Sequence, residues 1–163
     1  MFIKSLNYHD HYNTPKEAWE WLIPYIPKDK IIWEPFFSNG ESGKILKELG
    51  LNVIHENIDF FDNNLGDIII SNPPFTATNE IIKRLIEIDK PFILLMSAYK
   101  LHTRPFKDNF KNNKLQLLIP PKRIQYIKLD ENMNVIENQK NRCSFESMFY
   151  CYKMDFKNDI IFM

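Results

Sequence analysis

The residues of this chain whose types and spacing best suit chemistry are Asn72-Pro73-Pro74-Phe75. Two consecutive prolines cannot continue a helix, and they stiffen the backbone into an extended turn. The side-chain carbonyl of Asn72 and the backbone carbonyl of Pro73 can each accept one hydrogen of a primary amine. Phe75 can stack on an aromatic ring that carries this amine. The spacing therefore predicts a loop that holds and orients an aromatic amine.

An amine attached to an aromatic ring is a poor nucleophile, because its lone pair is delocalised into the ring. Two carbonyl acceptors draw the nitrogen toward tetrahedral geometry and localise the lone pair for in-line attack on a sulfonium methyl group. Such a loop would act by positioning and electrostatic stabilisation, without a strong general base. The alternative interpretation is a proline-stiffened turn between a strand and a helix. The place of the loop, directly after a buried apolar run, favours chemistry.

Strands and helices alternate around this loop. Apolar runs predict strands over 31–33, 51–55, 67–71, 91–96, 115–119 and 145–152, and the tail 160–163 is expected to pair at an edge. Helical spacing predicts a helix that starts at Thr14 and ends or kinks at Pro24, and helices over 43–49 and 80–88. Thr14 and Glu17 would form a capping box around Pro15. The alternation predicts an α/β fold with a doubly wound, mostly parallel sheet, which binds ligands beyond its carboxyl strand ends.

Short motifs along the chain resemble those of the Rossmann-like adenine-specific DNA methyltransferases, especially their compact phage and viral members. Asn72 to Phe75 matches the catalytic motif of that family, Asp/Asn-Pro-Pro-Tyr/Phe/Trp, without a gap. The other similar segments are Asn13-Thr14-Pro15, Glu34-Pro35-Phe36 through Gly40, Asp59-Phe60-Phe61, and Arg142 to Tyr152. The resemblance implies a class I S-adenosylmethionine-dependent methyltransferase. It also implies methyl transfer to the N6 amine of adenine in nucleic acid, with DNA favoured.

The resemblance further implies a binding site for S-adenosylmethionine beside the catalytic loop. The residues predicted in this way to contact the cofactor are Asn13, Thr14, Pro15, Glu34, Pro35, Phe36, Ser38, Gly40, Asp59 and Phe60. Glu56 is predicted as a further contact from its position. Glu56 follows the second strand, where an acid commonly accepts from ribose hydroxyls, and Asp59 would reach the adenine amine. The short interval between these two acids leaves open which takes which role. Ser38 stands where the family has glycine; serine resists a positive φ, but its hydroxyl can donate to the cofactor carboxylate.

The formal net charge of zero hides an asymmetry along the chain. Residues 1–81 carry 6 Lys and Arg against 12 Asp and Glu, and residues 82–163 carry 15 against 9. Most of the excess lies between Lys100 and Lys128, near Tyr99, His102 and Phe106. Basic groups interleaved with aromatic ones suit contact with a phosphate backbone and stacking on bases, although a solvated charged surface is the alternative. The predicted nucleic-acid contacts are Lys100, Arg104, Lys122, Arg123 and Arg142.

A length of 163 residues suits one domain. The cofactor motifs run straight into the catalytic loop, so we expect a single methyltransferase domain over 1–163 without a separate target-recognition domain. Such a small domain suits single strands, RNA or a short site, or it needs a homodimer or partner subunit to grip the substrate. Neither a bilayer-spanning run nor a secretory signal is visible, so we expect a cytoplasmic protein, in the host cytoplasm if the source is a phage or virus.

Other residues and other functions complete the set of expectations. Cys143 and Cys151 suit buried thiols in a reducing cytosol better than a disulfide. His9 and His11 lack a third ligand at suitable spacing, so no metal site is expected. The alternative functions are adenine methylation on RNA, including messenger RNA, methylation of protein glutamine, and a non-catalytic cofactor-binding subunit. Glutamine methyltransferases typically carry Tyr in place of Phe75, and cytosine-amine methyltransferases typically use Ser-Pro-Pro-Tyr.

Overall fold

The computed structural model describes residues 11–137 and 144–163. In these ranges the strands are β1 (Tyr12–Asn13), β2 (Ile31–Trp33), β3 (Asn52–Ile54), β4 (Ile68–Ser71), β5 (Phe92–Ser97), β6 (Leu115–Ile119), β7 (Ile127–Lys128), β8 (Ser147–Tyr152) and β9 (Ile160–Phe162). The α-helices are α1 (Lys16–Leu22), α2 (Glu41–Glu48), α3 (Thr78–Ile88) and α4 (Arg104–Phe110). Short 3-10 helices cover Ile23–Tyr25, Phe75–Ala77 and Ala98–His102.

The main sheet places its strands in the order β3-β2-β4-β5-β8-β6-β9. The strands β2, β3, β4 and β5 run parallel, β8 runs antiparallel between β5 and β6, and β9 runs parallel to β6. The carboxyl ends of β2 to β6 therefore meet at one end of the sheet, together with the amino end of β8. We call this the carboxyl end of the sheet. The arrangement confirms the predicted α/β fold with a mostly parallel sheet, and β9 confirms the expected edge strand.

Two apolar layers cover the two faces of the sheet. The layer beneath α1 and α2 includes Trp19, Leu22, Leu46, Ile32, Ile70, Ile93 and Leu95. The layer beneath α3 and α4 includes Ile81, Leu85, Phe106, Trp33, Ile69, Leu94 and Met96. Successive residues of β2, β4 and β5 alternate between the two layers, as the two-residue period of a strand requires. Burial on both faces explains why these strands read as continuous apolar runs.

The start of α1 differs from the prediction. Its N-cap is Pro15, and no side chain caps the helix. The predicted capping box is wrong, because both of its side chains have other partners. The hydroxyl of Thr14 accepts from the Nδ2 amide of Asn72 at 3.1 Å, and the carboxylate of Glu17 pairs with Lys122 at 2.7 Å. Thr14 therefore contacts the loop 72–75 and does not cap the helix.

The remaining differences concern short or mixed segments. α4 lies in the basic stretch and is anchored by the buried Phe106, and the sequence did not indicate it. The antiparallel pairing of β1 with β7 was likewise not predicted. Cys151 is buried, as expected, and burial raises the pKa of its thiol. Cys143 lies outside the described residues, as does His9.

Within residues 11–137 and 144–163, no helix combines the length and the apolar character needed to cross a lipid bilayer.

Candidate active site

The loop 72–75 leaves β4 at the carboxyl end of the sheet, where the sequence placed it. Pro73 and Pro74 are buried, and Phe75 opens the 3-10 helix that leads into α3. Thr78, the first residue of α3, donates its hydroxyl hydrogen to the carbonyl of Phe75 at 2.9 Å. The prolines and this hydrogen bond fix the loop to the body of the protein, which a positioning role requires.

The amide of Asn72 is oriented by one hydrogen bond. Its Nδ2 donates to the hydroxyl oxygen of Thr14 at 3.1 Å. Its Oδ1 is buried and has no hydrogen-bond partner among the described residues. A buried carbonyl without a partner is uncommon and costs stability, so such an atom needs an explanation. One explanation that fits its position is that this oxygen accepts a hydrogen from a bound amine.

Thr14 is held beside the loop by the ribbon of β1 and β7. In this ribbon Tyr12 pairs with Lys128, and Asn13 pairs with Ile127. Asn13 and Thr14 are 8% and 4% exposed, so both predicted residues lie inside the protein surface. The ribbon places the Asn-Thr-Pro segment within contact of the catalytic loop. The resemblance assigns this segment to the methionine end of the cofactor, and that role stays a prediction.

An open cleft lies at the carboxyl end of the sheet beside Asn72. Its walls are formed by Tyr12, Phe36, Ser38, Asn72, Pro73, Pro74 and Phe75. The structure thus brings the whole catalytic loop together with two residues of the predicted cofactor loop. Sequence reasoning did not identify Tyr12, although it directly precedes the Asn-Thr-Pro segment.

A row of aromatic rings supports one wall of this cleft. The ring centroids are 5.4 Å apart for Phe75 and Phe145, 5.7 Å for Phe145 and Tyr126, and 6.4 Å for Tyr126 and Tyr12. The contact of Phe75 with Phe145 is edge to face, which fixes the plane of the Phe75 ring. Phe145 lies just before β8, and its partnership with Phe75 could not be read from the sequence. The row gives Phe75 a defined orientation for stacking.

Glu34 lies at the carboxyl end of β2 and is only 1% exposed. Its carboxylate accepts from the hydroxyl of Ser42 at 2.5 Å, from the hydroxyl of Ser71, and from the backbone N–H of Phe36 at 3.1 Å. The Nδ1 atom of His55 lies 2.9 Å from the same carboxylate. Glu34 therefore ties together α2 and the ends of three parallel strands, and Ser71 directly precedes Asn72. Its visible role is to hold these loops in place; a cofactor contact stays a prediction.

His55 completes this buried network. Its side chain is 3% exposed and stacks on the ring of Phe37 with centroids 4.9 Å apart. A Cβ atom on Gly43 would lie 2.2 Å from the imidazole, so only glycine allows α2 to approach this closely. Burial lowers the pKa of His55, but the hydrogen bonds and the charge of Glu34 outweigh burial, and the pKa is raised above 6.5. The sequence suggested Glu56 rather than its neighbour His55.

The raised pKa of His55 predicts a pH dependence of stability. The stabilising contribution of this group is fully present below its unfolded pKa, near 6.5, and is lost as the pH rises through its higher folded pKa. We expect the free energy of unfolding to fall on the alkaline side of about pH 6.5. The dependence should be absent in His55→Asn, which keeps a donor toward Glu34 without a titrating group. Urea unfolding of both proteins between about pH 5.5 and 9 measures it, and parallel curves would contradict the assignment.

The loop between β2 and α2 turns through two positive φ angles. Ser38 has φ 49°, and Gly40, the N-cap of α2, has φ 84°. Ser38 therefore occupies the left-handed conformation that serine resists, as its place in the glycine loop suggested. Its side chain is exposed at the cleft beside Asn72. This position suits the predicted hydroxyl contact with a ligand carboxylate.

Ser38→Gly is expected to raise the free energy of unfolding by about 0.5–1 kcal/mol, because it removes backbone strain at a positive φ. Ser38→Ala removes the same hydroxyl but keeps the strain, so it should give no gain. Chemical denaturation of the two variants and the original chain measures the difference. Equal stability of the glycine and alanine variants would show that the φ angle costs nothing here.

The other predicted cofactor residues follow β3. Glu56 is exposed, and Asp59 accepts the backbone N–H of Phe61 at 2.8 Å, which shapes the loop. Phe60 is 3% exposed and packs on Trp33 with centroids 5.7 Å apart, so it belongs to the core. None of these three residues lines the cleft beside Asn72. Their contacts with a cofactor stay predictions.

The basic residues divide between the two ends of the sheet. Lys100, Lys122 and Arg123 follow β5 and β6, so they lie at the carboxyl end together with Asn72, whereas Lys114 directly precedes β6 at the other end. Arg123 pairs with Glu146 at 2.5 Å and Lys122 with Glu17 at 2.7 Å. Arg104 opens α4 and is 92% exposed, with Asp108 at 3.6 Å. Arg142 lies outside the described residues. The nucleic-acid contacts assigned to these side chains stay predictions.

Comparison with known proteins identifies the fold. No protein-family model and no curated protein sequence matches the chain. A dimethyladenosine transferase from Plasmodium falciparum superposes with a TM-score of 0.53 at 12% identity, over 87% of this chain and 62% of that one. A Listeria monocytogenes protein assigned to the class I S-adenosylmethionine-dependent methyltransferases gives 0.51 at 13% identity, over 94% and 65%. The chain thus spans less than two thirds of either protein, and it has the fold of the class I S-adenosylmethionine-dependent methyltransferases.

Proposed function

We propose that this protein transfers the methyl group of S-adenosylmethionine to the N6 amine of adenine in nucleic acid. The observation that carries the proposal is the buried Oδ1 of Asn72, which has no partner in the described structure and borders a cleft. The same cleft is lined by Ser38 of the loop after β2 and by the ring of Phe75. An acceptor, an aromatic ring and a ligand-binding loop thus border one space.

The residues at the cleft fit S-adenosylmethionine as the cofactor. When bound, the cofactor supplies an electrophilic methyl group on a sulfonium centre. Ser38 and Gly40 form a tight turn at the carboxyl end of β2, and the hydroxyl of Ser38 is exposed toward the cleft. Sheets of this type bind nucleotide-like ligands at such turns. Asn13, Pro15, Pro35, Glu56, Asp59 and Phe60 complete the proposed binding region on the resemblance to adenine methyltransferases.

The chain's own contribution to the reaction is to hold the amine. The Oδ1 of Asn72 accepts one amine hydrogen and the carbonyl of Pro73 accepts the other, which localises the nitrogen lone pair. Phe75, fixed by Phe145 at 5.4 Å, stacks on the adenine and keeps its plane aligned. The hydrogen bond between the Asn72 Nδ2 and Thr14 leaves the amide oxygen available to the amine. No residue has to remove a proton before the transfer, because the cationic product sheds it afterwards.

DNA is the favoured substrate on the resemblance of the catalytic motif, and RNA is the second candidate. The Plasmodium protein of similar fold is a dimethyladenosine transferase, and adenosine is the ribonucleoside. Both substrates present the same amine to Asn72, so the loop does not distinguish them. A homodimer or a partner subunit that adds grip on the substrate stays a prediction.

A labelling panel tests the proposal. The protein is incubated with tritiated S-adenosylmethionine and with duplex DNA, single-stranded DNA, RNA or a protein extract, and the products are digested for nucleoside mass spectrometry. We expect label on N6-methyladenine in at least one nucleic acid. Label on protein alone would point to amide methylation and overturn the adenine assignment. If calorimetry detects binding of neither S-adenosylmethionine nor its demethylated product, the enzyme assignment is overturned.

A further inference from the structure

A large aromatic side chain is exposed at the carboxyl end of the sheet, next to the strand that carries Asn72. Tyr99 is 72% exposed and follows β5, which pairs with β4. In the register of β4 and β5, Ser71 lies opposite Leu94, and β5 continues for three further residues to Ser97. At about 3.3 Å per residue, the end of β5 projects roughly 10 Å beyond the level of Ser71. Tyr99 is therefore at the rim of the candidate active site rather than inside its cleft.

The segment that carries Tyr99 is held firmly in place. The hydroxyl oxygen of Ser97 accepts the backbone N–H of Tyr99 at 3.3 Å and caps the 3-10 helix. The hydroxyl of Tyr150 donates to the carbonyl of Ser97 at 2.8 Å, and the N–H of Ala98 donates to the carbonyl of Glu146 at 2.9 Å. These bonds link the segment to β8. An aromatic ring on such a rigid segment loses little freedom when it binds a ligand.

The surroundings of Tyr99 are basic and polar. The ring of His102 lies 6.2 Å from the ring of Tyr99, and the side chain of Arg104 is 92% exposed. Phe106, the third aromatic residue of this stretch, is 3% exposed and packs on Tyr150 at 5.0 Å, so it cannot bind a ligand. An exposed tyrosine among basic groups suits an anionic polymer that also carries flat rings. Nucleic acid has both properties.

We propose that Tyr99 is a stacking platform for a base that flanks the target adenine, and that the substrate is therefore single-stranded. The proposal rests on the proposed function and names its substrate class. A base can stack on Tyr99 only if one of its faces has left its neighbours. In a duplex this adds a second disrupted base to the flipped adenine, and each disruption opposes binding, whereas a single strand presents both bases readily. Lys100 and Arg104 attract the backbone on either side of the platform.

Binding of oligonucleotides without adenine tests the platform separately from the reaction. Fluorescence anisotropy is measured with labelled oligodeoxyuridylate and oligouridylate of about twelve nucleotides, and with a G·C duplex of the same length. We expect Tyr99→Ala to weaken single-strand binding by about 10- to 100-fold, the usual effect of one stacking residue. Tyr99→Phe keeps the ring and should bind like the original chain. Phe162→Ala is the matched control, because Phe162 is 80% exposed on β9, three strands away from β5.

The steady-state constants supply a second readout. With a single strand that contains adenine, Tyr99→Ala should raise KM and leave kcat nearly unchanged, because the ring acts on binding alone. The stronger of the deoxy and ribo oligonucleotides identifies the sugar of the substrate. Equal binding of Tyr99→Ala and the original chain, or an equal loss with the single strand and the duplex, would overturn the platform. If the platform binds as expected but no adenine is methylated, the proposed function fails while the platform stands.

Discussion

Replacing Asn72 with alanine is expected to lower the rate of methyl transfer by about 10³-fold, close to the loss of activity altogether. The variant loses the acceptor that localises the lone pair of the amine. The Oδ1 atom is buried beside the cleft without a partner among the described residues, so none of these residues competes for it. Single-turnover transfer of tritium from S-adenosylmethionine to the best substrate of the labelling panel measures the loss.

Two control variants make this result specific. Asn72→Asp keeps an acceptor at the same place, and the Thr14 hydroxyl can reverse its role and donate to the carboxylate. We expect this variant to keep part of the activity, in line with the Asp or Asn of the family motif. Asn79→Ala alters an exposed asparagine on α3 and should leave the rate unchanged. A rate for Asn72→Ala within a few-fold of the original chain would remove the observation that carries the proposed function.

The same substitution is expected to leave the fold stable. Asn72→Ala removes the hydrogen bond to Thr14, a loss of about 1 kcal/mol, but it also removes a buried carbonyl that has no partner. The two effects oppose each other, so the free energy of unfolding should change by less than about 1 kcal/mol. A side chain whose removal stops the reaction and spares the fold is typical of a group kept for function rather than for stability.

The parts of the fold that the sequence predicted are those with a strong local signal. β4 and β5 are long apolar runs, and the structure matches their predicted bounds within a residue at each end. The position of the loop 72–75 at the end of β4 was predicted because two prolines and a polar residue directly follow such a run. The meeting of the polar loops at one end of the sheet also follows from these elements, because the carboxyl ends of parallel strands share that end.

The parts that could not be predicted depend on contacts between distant segments. Thr14 satisfied the local pattern of a helix cap, yet in the folded chain its hydroxyl contacts Asn72, 58 positions away. His55 reads as an ordinary polar residue after a strand, and its partnership with Glu34 exists only once β2 and β3 are paired. β1 is two residues long and carries no periodic signal. Local sequence patterns do not indicate such long-range contacts, and several of these contacts form the cleft.

Replacing Glu34 with alanine is expected to destabilise the protein by about 3–5 kcal/mol. The substitution removes at once the carboxylate that accepts from Ser42, Ser71 and the backbone N–H of Phe36, and His55 keeps only the backbone carbonyl of Glu34, 2.8 Å from its Nδ1. A buried donor that loses its acceptor stays desolvated without a compensating hydrogen bond, and this destabilises the fold. Glu34→Gln keeps the volume and an acceptor oxygen, so this variant should lose less stability. Urea unfolding at about pH 6, where the His55 contribution is present, measures both.

Glu41→Ala is the matched control for this experiment, because Glu41 lies in the first turn of α2 and pairs with Lys44 only at the surface, at 3.8 Å. Its loss should cost no more than about 1 kcal/mol. If Glu34→Ala were no more destabilising than Glu41→Ala, the carboxylate would not be the centre of the network. We also expect a mild weakening of this network to lower activity before it unfolds the protein. Glu34→Gln should lower the rate of methyl transfer while still folded, because Ser71, which Glu34 holds, directly precedes Asn72 in the chain.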